Sequence, residues 1–139
     1  LTTSSAASDV YKRQALWLDS AVLDFPLVIK NELERLGFPS FFAGPGVRVG
    51  GWLAGVSLTE RSPLEAADNA GIRPVFLTHG KEDPRVSIEH SQKFEERMIS
   101  NGANVTTWYV NERGHVDALW GNSEEYSSKL TEFFTNALV

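Results

Sequence analysis

The chain has 139 residues, of which 42% are hydrophobic and 22% are charged, and its formal net charge is −5. This balance is typical of one folded domain and excludes an intrinsically disordered chain. A negative charge without a basic patch argues against nucleic acid as a partner, and no apolar stretch is long enough to indicate a membrane span. The absence of cysteine excludes disulfides, thiolate metal sites and a cysteine nucleophile, but it does not fix the compartment.

The first fourteen residues differ from the rest in composition. They are polar, rich in small residues and without hydrophobic period, and their last six, DVYKRQ, resemble a translation of the transposon end used in preparing sequencing libraries. We therefore predict that residues 1–14 are a non-native or disordered leader. Residues 15–139 are expected to be a truncated domain that opens inside a strand.

The first elements of this domain are a strand, a helix and an irregular apolar segment. Residues 15–19 form a short apolar run that fits a strand buried on both faces of a parallel sheet. A helix is expected to begin at Asp24, with Pro26 in its first turn, and to end at Gly37. Residues 38–58 are rich in glycine and aromatic side chains and carry almost no charge. They predict apolar helices that pack over another surface, and one interpretation is a lid over a pocket.

The remaining chain alternates strands with helices. We expect a short helix capped by Ser62, a strand, a helix capped by Ser87, another strand and a final helix, over residues 62–67, 74–78, 87–100, 105–110 and 123–138. This order predicts parallel pairing through right-handed crossovers. Three strands are few for such a sheet, so one strand edge is expected to stay open.

Two chemically useful side chains follow consecutive strands. Asp83 lies in HGKEDPRV after the second strand, and His115 lies in GHVDAL after the third. Because the carboxyl ends of parallel strands share one edge of a sheet, the two side chains are expected to meet in the same crevice. The carboxylate would orient one ring nitrogen, and the other nitrogen would accept a proton from a nucleophile.

The ordered pair of motifs, HG-x-x-D-P-x-V and then GH about thirty residues later, resembles the C-terminal part of the α/β-hydrolase superfamily. The segment DPRV is similar to the corresponding segment of its serine peptidase and esterase-like members. Over residues 15–139 the resemblance implies an α/β fold, with about three parallel strands, flanking helices and a helical cap insertion at about residues 25–59. It also implies that Asp83 and His115 are the acid and histidine of a triad ordered nucleophile, acid, histidine.

The nucleophile of such a triad is not identifiable in this chain. The segment GVSLT around Ser57 lacks the closing glycine of G-x-S-x-G and follows no strand, while Ser20 follows a strand without any glycine frame. We therefore expect the C-terminal half of a serine hydrolase that cleaves an ester, thioester or peptide bond in a small-molecule or peptide substrate through an acyl-enzyme. The chain by itself is expected to be inactive.

Other residues in the chain have simpler expected roles, and other functions remain alternatives to this hypothesis. Glu82 is a reserve acid, His79 is expected to support the turn after its strand, His90 to be solvated, and Asp117 to serve in a loop or helix cap. The three histidines lack metal-site spacing and no phosphate-binding glycine loop is present, so neither metal nor cofactor is expected. The alternative is a non-catalytic module of the same fold whose cap binds a ligand or partner; an aspartate nucleophile acting in dehalogenation is a further variant.

Overall fold

The computed structural model describes residues 15–57, 63–69, 71 and 73–137. Five sequence predictions fall wholly or partly outside this part of the chain: the leader, the end of the apolar segment at residue 58, the cap boundary at residue 59, the Ser62 cap and the last residue of the final helix, Leu138.

A three-stranded parallel sheet forms the centre of the described structure. Its strands are β1 (Leu16–Asp19), β2 (Val75–Gly80) and β3 (Val105–Val110), in the order β1-β2-β3. Because the strands are parallel, all three end at the same edge of the sheet. Three parallel strands with flanking helices confirm the predicted fold class.

Six α-helices and two short 3-10 turns surround this sheet in the described residues. The helices are α1 (Phe25–Arg35), α2 (Ala43–Ala54), α3 (Pro63–Ala66), α4 (Glu89–Ser100), α5 (Ala118–Gly121) and α6 (Ser123–Ala137). The predicted start of α1 is confirmed, because the Asp24 side chain accepts a hydrogen bond from Leu27 N at 3.0 Å. Its predicted end is confirmed by Gly37, which has a φ of 81°. Within the described residues, no helix combines the length and apolar character needed to cross a membrane.

The two faces of the sheet are covered by different helices. On one face, Val75 and Leu77 of β2 pack against Phe94 and Met98 of α4 in a fully apolar cluster. On the other face, α5 and α6 cover the sheet, and Trp17 stacks on Phe76 with ring centroids 4.0 Å apart, while Phe133 and Tyr126 of α6 flank the stack. Since both faces are covered, all six residues of β2 are buried.

Strand β1 is less buried than its sequence predicts. Leu16 is 47% exposed, so the expectation of burial on both faces is wrong at this end of the strand. The physical reason is position: among the described residues β1 pairs with β2 alone, and an edge strand has fewer neighbours than a central one.

The first part of the segment between β1 and β2, over residues 20–57, contains the helices α1 and α2 and a 3-10 turn over Ser40–Phe42. This helical segment lies where the cap insertion was predicted. Many of its large apolar side chains face outward, namely Leu36, Phe38, Phe41, Phe42, Val49, Trp52, Leu53 and Val56. We call these eight side chains the apolar cap surface. So much exposed apolar area in one segment is typical of a surface that covers a ligand or another part of a protein.

Candidate active site

Asp83 is held by the loop that follows β2, residues 81–88, which we call the acidic loop. Its Oδ1 accepts hydrogen bonds from Arg85 N at 2.8 Å and from Val86 N at 2.9 Å. The side chain is completely buried, so these two donors compensate much of the cost of removing a carboxylate from water. Because Oδ1 is occupied by its own loop, Oδ2 is the oxygen that can bind a group on a neighbouring loop.

That neighbouring group is His115, in the loop after β3, residues 111–117, which we call the histidine loop. Its Nδ1 lies 2.8 Å from Asp83 Oδ2. A carboxylate can only accept, so Nδ1 carries the proton and Nε2 carries the lone pair. The ring is 29% exposed, and no described residue forms a hydrogen bond with Nε2. The structure thus brings together the two residues singled out in the sequence, in an arrangement that leaves one ring nitrogen able to accept a proton.

His79 supports the acidic loop from beneath. Its Nε2 lies 2.8 Å from Val86 O, so it donates there, and its Nδ1 accepts from Ser91 Oγ at 2.7 Å. Asp83 Oδ2 lies 3.4 Å from the same Nε2, which is a weaker second contact. The ring is fully buried and joins β2, the acidic loop and α4. This is the supporting role expected for His79.

Gly80 brings the acidic and histidine loops into contact, and sequence reasoning missed it. A Cβ atom at this position would overlap the carbonyl oxygens of Arg113 and Gly114, which belong to the histidine loop. In the same region Glu82 N donates to Arg113 O at 3.0 Å. The available signal was a glycine at the last position of a buried strand, where glycine often marks a close backbone approach.

Ser20 and Ser57, which both lack the glycine frame of a nucleophile, lie outside the two loops that carry Asp83 and His115. Ser20 follows β1 directly, and its Oγ accepts a hydrogen bond from Val116 N at 3.1 Å. This hydrogen bond is structural, because its partner is the backbone of the loop that carries His115. Ser57 follows α2, in the helical segment between β1 and β2.

Glu82 and Asp117 are two further acidic residues in the same two loops. The Glu82 side chain is exposed, and Asp117 immediately precedes α5 without capping it through its side chain. Across the described residues, no group of three or more histidine, aspartate or glutamate side chains is placed to hold a metal ion.

The prediction that His90 is solvated is wrong. The ring is completely buried, and its Nδ1 accepts from Leu23 N at 3.3 Å and from Asp24 N at 3.1 Å. Burial lowers the pKa of His90, because the charged form loses its hydration. Polar neighbours on α4 suggested a surface position, but His90, Phe94 and Met98 lie four residues apart, and that spacing places all three on the inner face.

Part of the chain matches the model of a known protein family. The model of the prolyl oligopeptidase family matches residues 48–139, about two thirds of the chain, and this region contains both Asp83 and His115. No curated protein sequence matches the chain.

Several solved structures share the fold. The Pyrococcus furiosus esterase Pf2001 is 23% identical over 88% of this chain and 45% of its own, with a TM-score of 0.59. The Pyrococcus horikoshii acylaminoacyl peptidase is 16% identical over 95% of this chain and 22% of its own, with a TM-score of 0.60. A Mycobacterium tuberculosis puromycin-hydrolyzing peptidase is 25% identical over 59% of this chain and 12% of its own, with a TM-score of 0.53.

The chain thus spans less than half the length of each of these three structures. Its parallel sheet, its flanking helices, the matching family model and these neighbours together show an α/β-hydrolase fold. With a family model matched over most of its length, the chain belongs to the prolyl oligopeptidase family.

Proposed function

We propose that Asp83 and His115 are the acid and the general base of a serine hydrolase whose nucleophile lies outside this chain. The observation that carries the proposal is the 2.8 Å contact between His115 Nδ1 and the fully buried Asp83 carboxylate. This contact fixes the ring tautomer and leaves the lone pair on Nε2, which is the state that a general base needs.

The reaction follows from these positions. Nε2 of His115 takes the proton of a serine hydroxyl as its oxygen attacks the substrate carbonyl, and Asp83 stabilises the resulting imidazolium. The imidazolium then protonates the leaving group, so that the acyl group stays on the serine. In the second half, Nε2 takes a proton from water, the hydroxide adds to the acyl carbon, and the serine leaves with the proton returned by His115.

The substrate is proposed to be an ester, thioester or peptide. Family membership and structural neighbours that include an esterase and an acylaminoacyl peptidase support acyl transfer as the reaction class. The apolar cap surface between β1 and β2 supports an acyl or leaving-group pocket that is apolar.

A serine-directed fluorophosphonate tests the location of the nucleophile. The full-length gene product that carries this chain is expected to be labelled, and the chain expressed alone is expected to remain unlabelled. Labelling of the isolated chain at Ser20 or Ser57 would contradict the proposal. A folded full-length protein that resists labelling would instead support a non-catalytic binding module.

Substitutions in the full-length protein test the two residues. Asp83→Asn and His115→Gln should each lower kcat/KM on a p-nitrophenyl ester by about 10³- to 10⁴-fold, the usual cost of losing a triad member. The matched control is Glu82→Gln, which removes an adjacent, exposed carboxylate and should leave the rate unchanged. Equal losses in Glu82→Gln and Asp83→Asn would show that Asp83 has no special role.

A further inference from the structure

Ser20 links the end of β1 to the histidine loop through hydrogen bonds. Its side chain is buried, with 3% exposure, and its own N–H donates to Thr78 O at 2.9 Å, which holds it to β2. Its hydroxyl donates to Asp19 Oδ1 at 3.1 Å and accepts from Val116 N at 3.1 Å. A hydroxyl has one proton to give, so the bond to Asp19 leaves a lone pair for Val116.

The residue that Ser20 holds has an unusual backbone conformation. Val116 has a φ of 56°, in the left-handed region that a β-branched residue rarely adopts. Asp117 N lies 3.4 Å from Gly114 O, which places His115 and Val116 at the centre of a turn. Glycine or asparagine is the usual residue at a positive φ in a turn. Because this strained residue directly follows His115, the contact that stabilises it also sets the direction of the ring.

A chain of hydrogen bonds ends at Asp19, the residue that accepts the Ser20 hydroxyl. Trp17 Nε1 donates to Tyr126 Oη at 2.9 Å, and Tyr126 Oη donates to Asp19 Oδ2 at 3.1 Å. Burial, together with the Asp19 charge, raises the pKa of Tyr126, so its hydroxyl keeps its proton. The donors all point toward Asp19, and Asp19 in turn accepts the Ser20 hydroxyl. Connected bonds of consistent direction strengthen one another.

We propose that Ser20 is a positioning residue for His115, which it holds in register with Asp83 through the Val116 amide. This inference rests on the proposed function, in which His115 is the general base. The hydroxyl touches neither substrate nor the reacting atoms in this proposal. It acts on the backbone, so its loss should affect the chemical step more than substrate binding.

The test compares variants of the full-length protein by kinetics and by amide hydrogen exchange. In Ser20→Ala, exchange of the Val116 amide should accelerate about tenfold, since one hydrogen bond is lost. The kcat should fall about 10- to 100-fold with KM unchanged, because a small misplacement of the base is costly. Ser20→Gly tolerates the φ of 47° at this position and should behave like Ser20→Ala. The matched control is Ser100→Ala on α4, whose hydroxyl donates to Arg97 O of its own helix, and it should change neither measurement.

The outcomes separate this inference from the proposed function. An unchanged Val116 amide exchange in Ser20→Gly overturns the inference, whatever the activity, and so does a loss that appears in KM alone. If the unmodified protein hydrolyses no ester and binds no fluorophosphonate, the proposed function fails. The exchange measurement then still decides whether Ser20 holds the histidine loop.

Discussion

One buried carboxylate connects the two loops at the carboxyl ends of β2 and β3. Asp83 uses Oδ1 for its own turn and Oδ2 for His115, so neither oxygen is left unsatisfied. The cost of leaving a buried acceptor or donor unpaired exceeds the gain from making one hydrogen bond. Each loop therefore stabilises the conformation of the other, and the spacing between their backbones is tightly constrained.

Gly80 sets that spacing, and an alanine there should separate the loops. The new Cβ would overlap backbone atoms of Arg113 and Gly114, which can move only with the whole loop that carries His115. We expect Gly80→Ala to lower kcat/KM of the full-length protein by about 10- to 100-fold, because it would misplace His115, the base in the proposed function. Ester hydrolysis by purified, folded protein measures this loss.

Gly44→Ala is the matched control for this substitution. Gly44 lies in α2, and a Cβ there meets no atom within 4 Å, so activity should be preserved and helix stability slightly increased. If Gly80→Ala retains full activity, the close approach of the two loops does not position His115.

At the level of elements, a buried histidine joins the start of α1 to α4. His90 of α4 accepts from two successive amides, Leu23 N and Asp24 N, and Asp24 is also the cap of α1. Only a neutral ring can do this, because protonation of Nδ1 would direct its N–H at two other N–H groups. The attachment of the helical segment between β1 and β2 therefore depends on the charge state of one imidazole.

This contact predicts a pH dependence of stability. Burial holds the pKa of His90 below its ordinary value of 6.5, although the Asp24 carboxylate opposes the shift. Below about pH 6.5 the unfolded chain binds a proton that the folded chain does not, so stability is fully present above this pH. It falls as the pH drops toward the folded-state pKa, by at most about 1.4 kcal/mol per pH unit.

His90→Asn isolates this effect, because an amide oxygen accepts the same two bonds without titrating. Thermal unfolding of the full-length protein between pH 5 and 7.5 should show a Tm that falls more steeply with acidification in the unmodified protein than in the variant. Parallel Tm curves for the two proteins would contradict the assignment. Activity at pH 7.5 should be similar in both, since His90 does not contact Asp83 or His115.

The strands and helices could be predicted from the sequence where local pattern decides them. Residues 105–110 are β-branched and aromatic, and β3 has the predicted bounds; β2 continues two residues beyond its predicted end at residue 78. The helix expected from Ser87 begins at Glu89, while Ser87 Oγ still accepts from Glu89 N at 3.3 Å. The spacing of apolar residues and the presence of turn residues are local properties of the chain. A single sequence is therefore enough to locate these strands and helices.

The site was predictable only in part, for a physical reason. Asp83 and His115 stand at strand ends, and parallel topology alone brings strand ends together. Gly80, Ser20 and His90 act through contacts with residues 33 to 96 positions away along the chain. Tertiary packing determines these partners, and no local sequence pattern indicates them. The contacts of Gly80 and Ser20 were therefore not predicted, and His90 was wrongly expected to be solvated.

For the whole molecule, two surfaces of the described structure lack cover. One is the outer edge of β1, where backbone groups pair with no described strand. The other is the apolar cap surface, on which Trp52 is 79% and Leu53 is 73% exposed. An open strand edge and many exposed apolar side chains both favour self-association.

The chain expressed alone is therefore expected to self-associate, and light scattering coupled to size exclusion should give a mass above that of a monomer. Leu16→Lys places a charge on the open edge strand and Trp52→Lys places one on the apolar cap surface, so the double variant should shift the mass toward the monomer. Ile99→Lys is the control, because Ile99 is a similarly exposed apolar residue on α4, away from both surfaces, and should have little effect. A monodisperse monomer without any substitution would show that both surfaces are tolerated in water. Equal rescue by Ile99→Lys would show that a lysine at any exposed apolar position reduces association, and that these two surfaces have no special role.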